Sequence, residues 1–105
     1  MSRFLFVPSV ARGNGSGHLV RCLTLARELS DLPGSSAAVF LDEDPGPGSR
    51  GAREIEAAFP DRVRGQSLVR SRAEAETGTW DFVVLDLRRA SREKELAWRA
   101  LAPTV

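Results

Sequence analysis

The feature that most constrains this chain is a glycine-rich turn set between a short apolar segment and an amphipathic helix. Residues 3–7 form a mostly aromatic and branched run that Pro8 ends, which predicts a strand buried on both faces. Gly13, Gly15 and Gly17 follow within five positions. Because glycine permits a left-handed backbone and the close approach of another molecule, we expect a tight turn that is open to a ligand.

The helix after the turn is indicated by apolar residues at three- and four-residue spacing from His18 to about Ser30. A turn-forming run at 31–34 ends it. The apolar positions are Leu19, Cys22, Leu23, Ala26 and Leu29. Their spacing predicts that one side of this helix packs on a sheet.

Strand-like and helix-like segments alternate through the rest of the chain. They are a strand at 37–41, a helix at 50–59 with Pro60 just beyond it, a short strand at Val63 and then Leu68–Val69, a polar helix at 71–76 capped by Ser71, a strand at 80–86 and a helix at 91–101. This order predicts an α/β fold with an open, parallel, Rossmann-like sheet and helices on both faces.

Composition excludes several classes of protein. The 15 basic and 14 acidic residues nearly balance, which argues against a nucleic-acid footprint. One cysteine and one histidine cannot form an internal disulfide or a structural zinc site, so we expect no metal. No apolar run approaches the roughly 18 residues that span a bilayer, and the start lacks a signal peptide, so we expect no membrane span and a cytoplasmic location.

A length of 105 residues suits one domain with one modest core. Thr104–Val105 is similar to the start of another strand. We therefore expect residues 1–105 to be a truncated domain of a longer α/β enzyme.

The candidate functional residues lie at one edge of the predicted sheet, where the strands have their carboxyl ends. Ligands of open parallel sheets bind beyond that edge. The helix that begins near His18 directs free N–H groups and its positive dipole end to that edge, and Asp86 ends a neighbouring strand. The dipole favours a neutral imidazole, which can accept a proton. His18 is therefore a candidate general base, and the alternative is that it caps the turn or touches a phosphate.

Other residues near this edge have two interpretations each. Arg21 could meet a phosphate or carboxylate, or be a solvated surface arginine. Asp86 could bind a substrate or the glycine turn, and Cys22 is more typical of a buried, inert thiol than of a nucleophile. The glycines match a dinucleotide fingerprint only in part, and no Lys-Ser/Thr pair follows them as in a phosphate-binding loop of nucleoside triphosphatases.

The run from Gly15 to Leu29 closely resembles the G-x-G-H-x-x-R-C-L-x-L-A-x-x-L signature of the nucleotide-sugar hydrolases of pseudaminic acid biosynthesis. These are UDP-2,4-diacetamido-2,4,6-trideoxy-β-L-altropyranose hydrolases, related to GT-B glycosyltransferases. The segment Asp81–Asp86 is similar to the D-x-V-V-x-D strand of the same family. Where the family has a tyrosine two positions after Asp86, this sequence has Arg88.

The resemblance implies the N-terminal domain of a GT-B fold that hydrolyses a UDP-linked amino sugar without a metal or other cofactor. It implies that His18 activates water for attack on the anomeric carbon. Gly13, Gly15, Gly17, Arg21 and Asp86 are the expected substrate-binding residues. The family binds UDP mainly through a C-terminal lobe, so we expect 1–105 alone to be inactive.

Two alternatives remain open. In a glycosyltransferase, His18 would deprotonate an acceptor hydroxyl instead of water. In a noncatalytic module, the chain would keep the surface of the fold as a binding domain and lack its chemistry.

Overall fold

A computed structural model describes residues 2–10, 17–86, 96, 98–99 and 101. Strands and helices alternate in it much as the sequence predicts. The strands are β1 (Ser2–Pro8), β2 (Ser35–Phe40), β3 (Ser67–Val69) and β4 (Phe82–Asp86), and the helices are α1 (Gly17–Ser30), α2 (Ala52–Ala58), α3 (Pro60–Val63) and α4 (Arg72–Thr77).

The four strands form one parallel sheet in the order β3-β2-β1-β4. β1 lies in the middle, paired with β2 from Ser2 to Phe6 and with β4 from Phe4 to Pro8. β2 and β3 follow one another on one side of β1, and β4 pairs with the other side of β1. This change of side is the arrangement of a Rossmann-like sheet. The predicted α/β class with a parallel sheet is confirmed, and the finer assignment to a GT-B domain stays a prediction.

The core divides into one apolar cluster on each face of the sheet, because successive side chains of a strand point to opposite faces. Phe6 and Val39 lie on the face covered by α1 and α2, together with Leu19, Leu23 and Ile55 of those helices. Leu5, Val7, Ala38 and Val83 lie on the opposite face with Ala75 of α4 and with Trp80. Burial on both faces explains why the strands are apolar without alternation.

α1 begins one residue before the predicted start and ends at Ser30, as expected. Its buried positions are Leu19, Cys22, Leu23 and Ala26, which confirms the predicted apolar side. Gly34 lies at φ 78°, a left-handed conformation that favours glycine, and it leads into β2.

The prediction for residues 50–63 is partly wrong. The helix expected at 50–59 is shorter, and Pro60 begins a separate turn of helix, α3, that contains Val63. Proline suits the first helical position because its missing N–H would have no partner there. Val63 therefore does not belong to a strand, and β3 contains only the Leu68–Val69 part of the predicted short strand.

The polar helix after β3 is capped as predicted: the Ser71 hydroxyl accepts a hydrogen bond from the Glu74 backbone N–H at 3.1 Å. Most of the helix predicted at 91–101 lies outside the described residues, although Leu96, Trp98 and Arg99 are helical. Trp98 packs edge-on against Phe40 at 4.9 Å between ring centroids. No helix among the described residues is long and apolar enough to cross a membrane.

Candidate functional site

The candidate site lies at the carboxyl ends of β1 and β4, where the strand order reverses. Pro8 and Asp86 are paired there, and the Ser9 backbone N–H donates to the Asp86 carbonyl at 2.9 Å. α1 begins at Gly17 beside this edge. In sheets of this kind the reversal opens a crevice between the loops that follow the two strands, which is the usual place for a ligand.

Two periodicities bring three side chains of α1 to the Asp86 carboxylate. In β4, Asp86 is two residues after Val84, so it points to the same face of the sheet, the face that α1 covers. In α1, His18, Arg21 and Cys22 are three and four residues apart and so share one side of the helix. The side of α1 that carries these three residues and the face of the sheet that carries Asp86 therefore meet at this carboxylate.

His18 is held by a short contact between its Nδ1 atom and Asp86 Oδ1, 2.7 Å apart. A carboxylate only accepts hydrogen bonds, so we assign the ring proton to Nδ1. A neutral imidazole in this form has Nε2 as its acceptor. The His18 side chain is 26% exposed and that of Asp86 is 18% exposed, so the pair lies at the protein surface within reach of a ligand.

Arg21 binds the same carboxylate with two hydrogen bonds. Its Nε donates to Asp86 Oδ2 at 2.9 Å and its Nη2 donates to Oδ1 at 2.7 Å. Nη2 also lies 3.1 Å from His18 Nδ1, but both nitrogens are donors here, so Oδ1 accepts from both. The two parallel bonds match the planar fork of a guanidinium to the plane of a carboxylate.

These contacts keep Asp86 ionised. The hydrogen bonds from Arg21 lower the pKa of Asp86 below its usual range, and the hydrogen bond from His18 acts in the same direction, while partial burial opposes them. In turn the Asp86 carboxylate raises the pKa of Arg21. The resting site therefore contains a carboxylate and a guanidinium that neutralise one another.

We expect the Asp86→Asn variant to be less stable than the unsubstituted chain near neutral pH and to lose that difference in acid. The pKa of Asp86 is lowered in the folded chain from 3.8, so its contribution to stability is present above that value and disappears as pH falls through the folded pKa. Urea unfolding of both chains, from about pH 6 down to about pH 2, measures the gap. A gap of the same size throughout that range would contradict the ionised state assigned to Asp86.

Cys22 is the buried neighbour of the same carboxylate, with its Sγ 3.7 Å from Asp86 Oδ2. Burial, and then the charge of Asp86, raise the pKa of the Cys22 thiol to about 12. Since the thiolate is the reactive form, this cysteine is unsuited to be a nucleophile. The interpretation of Cys22 as an inert thiol is supported, and its contact with Asp86 was not foreseen.

We expect iodoacetamide at pH 8 to alkylate Cys22 far more slowly in the folded chain than in urea, because unfolding removes both burial and the neighbouring carboxylate. Mass spectrometry over time measures this without ambiguity, since the chain has a single cysteine. Equal rates in the folded and unfolded chain would show that the thiol is accessible and ionised.

Of the three predicted glycines of the turn, Gly13 and Gly15 lie outside the described residues. Gly17 is exposed at the start of α1. Apart from its chain neighbours and the backbone of α1, no described residue lies within 4 Å of the position that a Cβ atom on Gly17 would take. Space beside the first turn of α1 is thus open to a ligand as far as the described residues define it.

The structure brings His18, Arg21 and Asp86 together, three of the predicted site residues. The hydrogen-bonding capacity of Asp86 is directed to protein donors, namely His18, Arg21 and Cys22. Among the described residues there is no group of three or more histidine, cysteine or carboxylate side chains that could hold a metal ion.

No protein-family model, curated protein or solved structure matches the chain. The class of protein that fold and site define is an open parallel α/β domain with a histidine–carboxylate pair at the reversal of strand order.

Proposed function

We propose that this chain is the sugar-side domain of a nucleotide-sugar hydrolase, in which His18 is the general base that activates water. The observation that carries the proposal is the 2.7 Å contact between His18 Nδ1 and Asp86 Oδ1. It leaves Nε2 as the only nitrogen of a neutral ring that can take a proton. A histidine oriented by a carboxylate through Nδ1 is an arrangement that serves proton abstraction in enzymes of unrelated fold.

The proposed reaction uses His18 and water. As the water oxygen forms a bond to the anomeric carbon of the sugar, His18 Nε2 takes a proton from that water. The bond between the anomeric carbon and the oxygen of UDP breaks, and UDP leaves with the bonding electron pair. Attack from the side opposite UDP inverts the anomeric centre.

Asp86 supports this step electrostatically. When His18 becomes an imidazolium ion, the carboxylate against its Nδ1–H stabilises the positive charge without taking the proton, since its own pKa is lowered. Free backbone N–H groups at the start of α1 suit a diphosphate or a sugar oxygen near Gly17. We propose a second lobe of the enzyme as the part that holds most of the UDP.

An NMR titration tests the proposal on the chain itself. The ¹⁵N-labelled chain is titrated with UDP-N-acetylglucosamine as an amino-sugar probe and, separately, with UDP and with uridine. We expect the amide signals of Gly17, His18, Arg21 and Asp86 to shift with the nucleotide sugar and less with uridine. A folded chain in which the nucleotide sugar moves none of these signals would contradict a sugar-side site.

The acceptor distinguishes a hydrolase from a glycosyltransferase. With the second lobe present, a hydrolase releases UDP and free sugar from a UDP-linked diacetamido sugar in buffer alone. Release of UDP that requires an added acceptor alcohol would instead assign His18 to the deprotonation of that alcohol. Absence of both reactions in the two-lobed protein would favour a noncatalytic binding module.

A further inference from the structure

We infer that Arg21 is a positioning residue that orients His18 through the carboxylate of Asp86, and that it is not primarily a ligand for the substrate's anionic group. The inference rests on the function proposed above, because it gives Arg21 a part in setting the base. Its basis is the geometry of three side chains from α1 and β4.

The two bonds from Arg21 define the plane of the Asp86 carboxylate. A carboxylate on a short side chain rotates readily, since the torsion that turns it has a broad energy minimum. Nε on Oδ2 at 2.9 Å and Nη2 on Oδ1 at 2.7 Å hold both oxygens at once and so stop that rotation. Oδ1 is thereby kept directed at His18 Nδ1, 2.7 Å away.

The orientation of His18 in turn depends on Oδ1. His18 is in the first turn of α1 and is partly exposed, and the polar side chains beside its ring among the described residues are those of Asp86 and Arg21. If the carboxylate turned away, the proton could move from Nδ1 to Nε2 and the base would be lost from the reactive side. Arg21 therefore influences which nitrogen can accept a proton while not touching the reacting atoms.

The same geometry disfavours Arg21 as an anion ligand. One of the two edges by which a guanidinium can bind a phosphate with two bonds, Nε with Nη2, already faces Asp86. A substrate anion at that edge would have to displace a carboxylate that the protein holds next to it, and elsewhere it would reach only the N–H groups that Asp86 leaves unused. Arg21 is 57% exposed, and exposed ion pairs contribute little to stability, so variants at this position should fold.

The single histidine of the chain makes a direct measurement possible. We propose ¹⁵N NMR of the His18 ring, recorded on the deprotonated ring, in the unsubstituted chain and in Arg21→Gln, Arg21→Lys and Asp86→Asn. Arg53→Gln, an exposed arginine of α2, is the control for loss of one positive charge. The amide spectrum of each variant checks that it is folded.

In the unsubstituted chain and in Arg53→Gln we expect the ring shifts of the form protonated at Nδ1. In Arg21→Gln and Asp86→Asn the two nitrogen shifts should move toward each other, because both tautomers become populated. Arg21→Lys keeps the positive charge and loses the pair of parallel hydrogen bonds to Asp86, so its ring nitrogen shifts should move in the same direction. Ring shifts in Arg21→Gln that match those of the unsubstituted chain would overturn the inference.

Kinetics of the two-lobed enzyme provide the second measurement. A positioning role predicts that Arg21→Gln lowers kcat by on the order of 10- to 10²-fold with little change in KM, since a misplaced catalytic group slows the chemical step. A raised KM with unchanged kcat would show an anion ligand and overturn the inference. If His18 variants turn over normally, the proposed function fails, whereas the ring shifts still decide whether Arg21 positions His18.

Discussion

The His18→Ala variant of the two-lobed enzyme is expected to release UDP from a UDP-linked diacetamido sugar about 10²- to 10⁴-fold more slowly than the unsubstituted enzyme, the usual contribution of a general base. The substitution removes the nitrogen that takes the proton of water, so we expect the decrease in kcat. Initial rates of UDP release at saturating substrate measure it.

A second variant separates the loss of the base from damage to the site. His18→Asn keeps an N–H group that can donate to Asp86 Oδ1 in place of Nδ1–H, but it has no nitrogen equivalent to Nε2. We expect it to be as slow as His18→Ala while Arg21 and Asp86 remain paired. Leu25→Ala, at a 42% exposed position of the same helix, is the control and should keep full activity. Turnover in His18→Asn within a few-fold of the unsubstituted enzyme would exclude His18 as the base.

Much of the fold could be predicted because each hydrophobic pattern in the sequence is compatible with one kind of element. Strands buried on both faces require continuous apolar runs, and the sequence contains such runs at β1, β2 and β4. The apolar side of α1 follows from helical spacing. Residues 50–63 were harder, because Pro60 can either follow a helix or start one, and only packing decides between them.

The site divides in the same way. That His18 and Asp86 lie at one edge follows from the parallel order of the strands. That Arg21 and Cys22 meet the same carboxylate could have been found by combining helical spacing with the alternation along β4. The bidentate geometry of Arg21 could not, because it depends on rotamers and on distances of a few tenths of an ångström between α1 and β4.

The Leu23→Ala variant, which shortens a buried side chain, is expected to have the largest effect on the free energy of unfolding, because Leu23 packs the helix of the site against the sheet. Leu23 is 1% exposed in the cluster between α1 and the sheet, whereas Leu25, two residues later, is 42% exposed. Leu23→Ala should lower the free energy of unfolding by about 2–5 kcal/mol, through lost burial and the cavity left behind. Leu25→Ala should change it by less than about 0.5 kcal/mol.

The pair is closely matched, since both substitutions are leucine to alanine in one helix and share the same change in helix propensity. Urea unfolding followed by circular dichroism measures both free energies. The free energy of unfolding of a whole domain is only about 5–15 kcal/mol. Leu23→Ala should therefore also weaken the packing of α1 on the sheet and, with it, the contact between His18 and Asp86. Equal losses in the two variants would mean that α1 is not packed on the sheet through Leu23, and the basis for placing His18 beside Asp86 would fail with it.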